Sequence, residues 1–366
     1  MFFFKRIGLL LIAIVATGLG PTAEGSDKSD PARPRNVILM IGDGMGLTQV
    51  TAAMYASPAP LHMERMPVTG LITTHSAKDL ITDSAAGATA FACGVKTYNG
   101  VIGMTAKGKP CVNIAEMARE RGMAVGITVT CSATHATPAA FIAHARDRGL
   151  YEEIALWYME RPVDFLAAGG AKYFERRATD RRNLLAELVE RNYAICRDGR
   201  TALTLDAADP SRPFWWFASD EEPPGVLQGR DYLPDAVQIA CAYLKRRSDK
   251  GFFLMVEGSQ IDWACHKNDD KASVAEVLDF DAAVGAALRF AEADGQTLVI
   301  VTADHETGGM AVVQGSTTDS LYLKFAGKQH TASMAPVFAF GPGSERFHGL
   351  YENTDIFYKI LLALGW

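Results

Sequence analysis

Continuous apolar runs alternate with amphipathic stretches along this chain of 366 residues. The first run, residues 36–41, is apolar and ends at a Gly-Asp-Gly turn, which is typical of a strand buried on both faces. The predicted helix-then-strand pairs are 112–121 with 123–129, 234–247 with 252–256, and 273–292 with 298–302, followed by an apolar run at 336–340 and a helix at 355–364. This order predicts an α/β sandwich with a mostly parallel central sheet and helices on both faces.

Polar residues follow the apolar runs directly. They are Asp43, His135, Thr137, Glu257, Asp262, Asp304 and His305. Because ligands bind at the carboxyl ends of strands in an open α/β sheet, we expect these side chains to meet at one edge. The stretch 150–231 is less informative, and we expect further helix and strand there, with Trp215 and Trp216 in the core.

The N-terminal segment has the pattern of a signal peptide. Lys5 and Arg6 precede an apolar run at 7–20 and a small, polar stretch at 21–34. The run is shorter than the roughly 20 residues that span a bilayer, so an uncleaved anchor is the weaker alternative. We expect residues 1–25 to be removed, 26–35 to form a linker, and the protein to be exported to the periplasm or the extracellular space.

Net charge limits which partners are expected, and the cysteines limit which thiol chemistry is expected. The formal net charge is −6, so no general attraction to nucleic acid or to an anionic membrane is expected. Six cysteines would allow up to three disulfides in an oxidising compartment, but their spacing does not select a pairing. None forms a C-x-x-C pair, which argues against a thiolate zinc site or a redox motif.

Several of the polar residues have the chemistry of metal ligands. Asp262 and His266 lie four residues apart, one turn of a helix, so both could bind one ion. Asp304 and His305 follow a predicted buried strand, and His330 lies in a polar turn before the final strand. Pairs at this spacing are also common on solvated surfaces. Together, however, these residues offer the oxygen and nitrogen ligands that suit zinc.

Ser84 stands at the predicted first turn of an Ala-rich helix, with Asp83 as its N-cap. Free N–H groups and the positive end of the helix dipole favour an alkoxide and a phosphoryl group at that position. Ser84 is therefore a candidate nucleophile, although an Asp-Ser pair can also cap a helix without any chemistry. No G-x-S-x-G elbow surrounds it, so the usual esterase arrangement is not supported.

Seven ordered motifs carry a resemblance to a known family. They are 36–46, 82–90, 94–100, 136–140 with Arg148, 256–262 with His266, 302–306, and 330–331. On these motifs, residues 36–366 resemble the catalytic domain of the alkaline phosphatase family. The resemblance implies hydrolysis of small phosphate monoesters through a phosphoserine on Ser84, and it suggests a homodimer. The alternatives are a phosphodiesterase or sulfatase of the same superfamily and an inactive metal- or phosphate-binding protein.

The resemblance also implies roles for individual residues. One zinc would be held by Asp262, His266 and His330, and a second by Asp43, Asp304, His305 and Ser84. A third site, for magnesium or another divalent ion, would be completed by Asp43, Thr137 and Glu257. Arg148 would clamp the phosphate, positioned by Asp83.

Two positions depart from the pattern of members that carry Asp and Lys there. His135 and Trp263 stand at these positions, which puts in doubt the affinity of the third site and the strength of phosphate binding. The four histidines outside the motifs are expected to be structural or on the surface: His62, His75, His144 and His348.

Overall fold

The computed structural model describes residues 33–197, 204 and 209–366. The predicted signal peptide, 1–25, and most of the predicted linker therefore lie outside the described residues. Within the described ranges the strands are β1 (Asn36–Gly42), β2 (Val68–Thr73), β3 (Ala124–Ser132), β4 (Phe165–Gly169), β5 (Ala194–Cys196), β6 (Phe214–Phe217), β7 (Phe252–Gly258), β8 (Thr297–Thr302), β9 (Glu306–Thr307), β10 (Met310–Val312), β11 (Leu323–Phe325), β12 (His330–Thr331), β13 (Ala335–Phe340) and β14 (Gly349–Glu352).

Ten of these strands form one sheet, in the order β14-β2-β13-β8-β1-β7-β3-β4-β6-β5. Only β13 runs antiparallel to its neighbours, β2 and β8. The predicted mostly parallel sheet is therefore confirmed. The strands at its centre are the apolar runs of the sequence, and every residue of β1, β3, β7 and β8 is buried.

The helices cover both faces of the sheet. Their bounds are α1 (Leu47–Ala56), α2 (Ser84–Cys93), α3 (Ile114–Glu120), α4 (Ala136–Ala139), α5 (Tyr151–Glu160), α6 (Lys172–Glu175), α7 (Leu184–Glu190), α8 (Leu233–Arg247), α9 (Gln260–His266), α10 (Asp270–Asp294) and α11 (Asp355–Leu364). Helices α8 and α10 pack on each other and on β7, while α3 and α4 each contact α2 and β7.

The predicted elements agree with this arrangement to within a few residues. Helix α11 has the predicted bounds, and α10 extends the predicted 273–292 to 25 residues because Asp269 caps its first turn and Gly295, at φ +68°, ends it. Trp215 and Trp216 are buried in β6, as expected. None of the helices in the described ranges combines the length and hydrophobicity that a membrane span requires.

Six cysteines would allow up to three disulfides, but five of the six form none in the described structure. Cys93, Cys111, Cys131, Cys241 and Cys265 are thiols, and three of them, Cys131, Cys241 and Cys265, are fully buried. Cys265 lies against Ser273, and Cys131 lies against Glu257.

Candidate metal centre

The polar residues that follow the apolar strands meet at the carboxyl edge of the sheet, as predicted. Asp43 follows β1, Glu257 lies near the end of β7, and Asp304 with His305 follows β8. The turn after β1 needs a glycine at position 44, where φ is +71° and a Cβ atom would lie 2.7 Å from the hydroxyl of Thr307. The close approach brings this turn against the residues that follow β8.

The first group consists of Asp262, His266 and His330. On α9, Asp262 Oδ2 lies 3.2 Å from His266 Nε2, so the predicted i, i+4 pair shares one face. His330 Nε2 lies 3.5 Å from Asp262 Oδ1 and 3.1 Å from His266 Nε2. The Nδ1 atoms of both histidines face backbone carbonyls, those of Lys328 and Thr82. This arrangement directs both Nε2 atoms at the same point, as is usual for metal-binding histidines.

The second group consists of Asp43, Asp304 and His305, all completely buried. His305 Nε2 lies 3.4 Å from Asp43 Oδ1 and 3.3 Å from Asp304 Oδ2. Ser84 Oγ is next to this group, 3.4 Å from Asp43 Oδ2 and 3.5 Å from His305 Nε2. Gly87 brings α2 this close, because a Cβ there would lie 3.0 Å from the Cβ of Asp304.

The carboxylates of the first two groups are buried, so water solvates their negative charge poorly. Burial, followed by the charge of Asp262, raises the pKa of Asp304 to about 8. Burial also raises the pKa of Asp43 well above its usual range, and the charges of Asp304, Asp262 and Glu257 add to the effect. Burial opposes ionisation of Asp262 as well, but its hydrogen bond with His266 and the nearby imidazoles lower its pKa overall. Cations would relieve this repulsion.

The donor atoms fit divalent ions. Asp43 Oδ1 and Asp304 Oδ2 are buried without a hydrogen-bond partner, which is rare for carboxylate oxygens unless a cation is bound. Asp43, Asp304 and His305 each offer a ligand atom within 4.8 Å of the others, and Asp262, His305 and His330 do the same. Carboxylate and imidazole ligands in groups of this size suit zinc.

A third group adjoins the second. Glu257 and Thr137 are completely buried, and Glu257 Oε1 and Thr137 Oγ1 have no hydrogen-bond partner. Burial raises the pKa of Glu257 to about 7. His135 and Cys131 offer ligand atoms within 4.8 Å of Glu257 and of each other.

Asp83 connects Ser84 to Arg148. As predicted, Asp83 is the N-cap of α2, and its Oδ1 accepts a hydrogen bond of 2.9 Å from Ala86 N. Its Oδ2 accepts from Gly100 N at 2.9 Å and from Arg148 Nη1 at 3.1 Å. One carboxylate therefore fixes both the first turn that carries Ser84 and the guanidinium of Arg148.

His135 lies beside that guanidinium, and Trp263 packs against His135. His135 Nε2 is 3.4 Å from Arg148 Nη2, and its ring meets the ring of Trp263 edge to face at 5.7 Å. Burial and the charge of Arg148 lower the pKa of His135 to about 3. His135 is therefore neutral across the physiological range and able to accept a hydrogen bond or bind a metal.

Two residues of the site were missed in the sequence. Thr307 donates a hydrogen bond to Asp262 Oδ1 and lies 3.2 Å from His305 Nδ1, so it orients one residue of each of the first two groups. Its position directly after the motif 302–306 was the available signal. Cys131 had been considered only for disulfides, although it lies four residues before His135.

The four histidines outside the motifs take other places. His144 is buried, with Nδ1 2.6 Å from the carbonyl oxygen of Gly103, and His348 is exposed. The backbone N–H of His62 donates a hydrogen bond to Asp281 Oδ2, and His75 Nε2 lies 3.1 Å from Glu352 Oε2. None of them belongs to the three groups of ligand atoms described above.

Fold and site together define an α/β protein with a carboxylate- and imidazole-rich centre for divalent ions at the carboxyl edge of its sheet. The family model described as "Alkaline phosphatase" matches residues 34–326. Alkaline phosphatase 4 of Bacillus subtilis is 32% identical, with 98% of this chain and 96% of the relative covered. The alkaline phosphatase of Escherichia coli K12 is 31% identical, with 94% and 89% covered.

Solved structures agree. The alkaline phosphatase of the Antarctic bacterium TAB5 is 42% identical with a TM-score of 0.87, and the match covers 92% of this chain and 99% of that one. A histidine-to-aspartate variant of that enzyme was solved with Mg bound in the site called M3. The chain belongs to the alkaline phosphatase family, and it is an enzyme that hydrolyses phosphate monoesters.

Proposed function

We propose that the reaction proceeds through a phosphoserine on Ser84, with two zinc ions and a third divalent ion, normally magnesium. Asp262, His266 and His330 would hold one zinc, and Asp43, Asp304 and His305, with Ser84, the second. Thr137 and Glu257 would complete the third site with Asp43. When bound, these ions would lower the pKa of a hydroxyl ligand and neutralise charge that develops on the phosphoryl and leaving groups.

The side chains of this chain would then act in order. Ser84 Oγ attacks phosphorus, and the ester oxygen leaves as an alcohol. The free N–H groups at the first turn of α2 face the transferred phosphoryl group. Water then cleaves the Ser84 ester and releases inorganic phosphate. Arg148, held by Asp83, would bind two phosphate oxygens through its two terminal nitrogens.

The observation that carries this proposal is the position of Ser84 Oγ, 3.4 Å from Asp43 and 3.5 Å from His305 at a helix N-terminus. Elemental analysis of the purified protein, combined with turnover of matched aryl monoesters and diesters, tests it. A zinc content near two ions per chain and a strong preference for monoesters would support the proposal. A preference for diesters or sulfate esters would favour the rival members of the superfamily.

The Arg148→Ala variant tests the phosphate clamp. We expect KM for a monoester and the inhibition constant for phosphate to rise by roughly tenfold, because two charge-assisted hydrogen bonds are lost. Cleavage of a diester should fall less, since a diester has one fewer free oxygen to bind. Steady-state kinetics on both substrates measure the difference, with Arg65→Ala, which removes an exposed ion pair with Glu292, as the control. Equal losses on both substrates would remove Arg148 from this role.

The pair His135 and Trp263 yields a further prediction. His135→Asp should tighten magnesium binding at least roughly tenfold, because Mg²⁺ prefers oxygen ligands and ordered water. The magnesium-containing M3 site of the histidine-to-aspartate variant from TAB5 supports this expectation. Trp263→Lys should lower the inhibition constant for phosphate by adding a positive charge beside His135, the residue that contacts Arg148. Unchanged magnesium titrations and phosphate inhibition would show that the pair does not control either property.

Calorimetric titration with magnesium and competitive inhibition by phosphate provide these measurements. Tyr55→Lys, which adds the same charge at an exposed position, serves as the control for Trp263→Lys.

We also propose export of the mature chain, on the N-terminal pattern of Lys5, Arg6 and the apolar run 7–20. A homodimer remains a prediction from the family resemblance.

A further inference from the structure

Cys131 places a thiol against the third group of the metal centre. Its side chain is completely buried, and Sγ lies 3.3 Å from Glu257 Oε2. The pairing of β3 with β4 shifts register between Thr128 and Ser132. Such bulges redirect side chains, and this one coincides with the position of Cys131.

Buried atoms around the thiol lack partners. Glu257 Oε1 and Thr137 Oγ1, both in completely buried residues, have no hydrogen-bond partner, and neither does His135 Nδ1. Cys131, His135 and Glu257 each offer a ligand atom, all within 4.8 Å of one another. One cation could satisfy the carboxylate, the imidazole and the thiol together, whereas internal hydrogen bonds leave several of these atoms unsatisfied.

We propose that Cys131 is a ligand of the third metal site, together with His135 and Glu257, and that the site therefore prefers a thiol-accepting divalent ion such as Zn²⁺ or Co²⁺ to Mg²⁺. The inference rests on the third site of the proposed function. Binding forms a sulfur–metal bond and breaks the S–H bond, and the proton leaves to solvent. No electron is transferred.

The donor set decides the preference. Mg²⁺ binds oxygen atoms and retains several waters, and a thiolate and an imidazole are poor substitutes for them. Thiolate and imidazole ligands suit zinc and cobalt. A thiol that only packed in the core could instead be replaced by a hydroxyl, since serine would keep the hydrogen bond to Glu257. Cys131→Ser therefore separates the two roles.

Cobalt titration of reduced, metal-stripped protein tests the inference directly. We expect the wild type to bind three Co²⁺ ions per chain, by elemental analysis after dialysis, and to develop near-ultraviolet sulfur-to-cobalt charge-transfer absorption with one of them. Cys131→Ser should lose this absorption, and its third site should favour Mg²⁺ over Zn²⁺ by roughly tenfold more than the wild-type site does. Cys241→Ser, which changes a buried thiol of α8, should keep the absorption.

The outcomes distinguish this inference from the proposed function. Three bound cobalt ions without the absorption would refute the thiol ligand and leave the third site standing. Two bound ions would refute both, while a phosphoserine on Ser84 would still stand. Absorption that persists in Cys131→Ser would also refute the assignment. The wild-type spectrum decides the question even if the variant does not fold.

Discussion

Ser84→Ala is expected to abolish the covalent intermediate and to lower kcat by on the order of 10³-fold or more, because the change removes the nucleophilic hydroxyl that lies beside Asp43 and His305. The metal groups should stay largely filled, since Ser84 contributes only one hydroxyl to them. The measurement is labelled phosphate trapped on the protein by acid quenching, followed by peptide mapping. Any residual turnover should come from direct attack of water on the ester.

A matched control is Ser57→Ala, which changes the serine that follows α1 and should leave trapping and turnover unchanged. Label found on a residue other than Ser84 in the wild type would end the assignment. Trapping that survives in the Ser84→Ala variant would do the same. Metal content measured in parallel distinguishes loss of the nucleophile from loss of the ions.

Removal of the metal ions is expected to abolish activity and to lower the Tm, and zinc with magnesium should restore both. The three buried carboxylates Asp43, Asp262 and Asp304 would otherwise repel one another. Ions that bind only the folded chain stabilise it by about 4 kcal/mol at a thousandfold excess over Kd. Chelator saturated with zinc beforehand is the control. Full turnover in protein shown by elemental analysis to contain no metal would refute metal dependence.

The loss of stability should depend on pH. Burial raises the pKa of Asp304 from an ordinary 3.8 to about 8. A carboxyl with a raised pKa in the folded state contributes stability fully below its unfolded pKa and loses it as pH rises through its folded pKa. The Tm of metal-free protein should therefore fall, relative to that of the loaded protein, from about pH 4 to about pH 8. A constant difference across this range would contradict the repulsion between buried carboxylates.

The central sheet could be predicted from the sequence because its strands are buried on both faces and are apolar throughout. The two strands at one end of the sheet, β14 at the edge and β2 beside it, could not be predicted. Strand β2 mixes buried, half-buried and exposed residues, and β14 has only half-buried and exposed ones, so neither forms a continuous apolar run. Pairing with partners far along the chain supports both strands. Strand β6 contains the buried Trp215 and Trp216, whose burial was predicted although their strand was not specified.

For the site, the ligand residues were predictable because each follows an apolar run or belongs to a motif. The structure also shows contacts between side chains that residue spacing along the sequence cannot predict. The sharing of Asp83 between Gly100 and Arg148 depends on how two loops approach each other. The contact of Cys131 with Glu257 depends on the pairing of β3 with β7 and on a local shift of register.

The position of β1 in the sheet has a consequence for how the chain acquires its fold. The first strand pairs on one side with β7 and on the other with β8, and both come from the last third of the sequence. Contacts between such distant segments form late, because closing the long loop between them costs conformational entropy before the contacts contribute any stability. During synthesis, the centre of the sheet cannot form until most of the chain has emerged. Such delayed completion keeps a chain open for longer, which is compatible with passage through a membrane channel before folding.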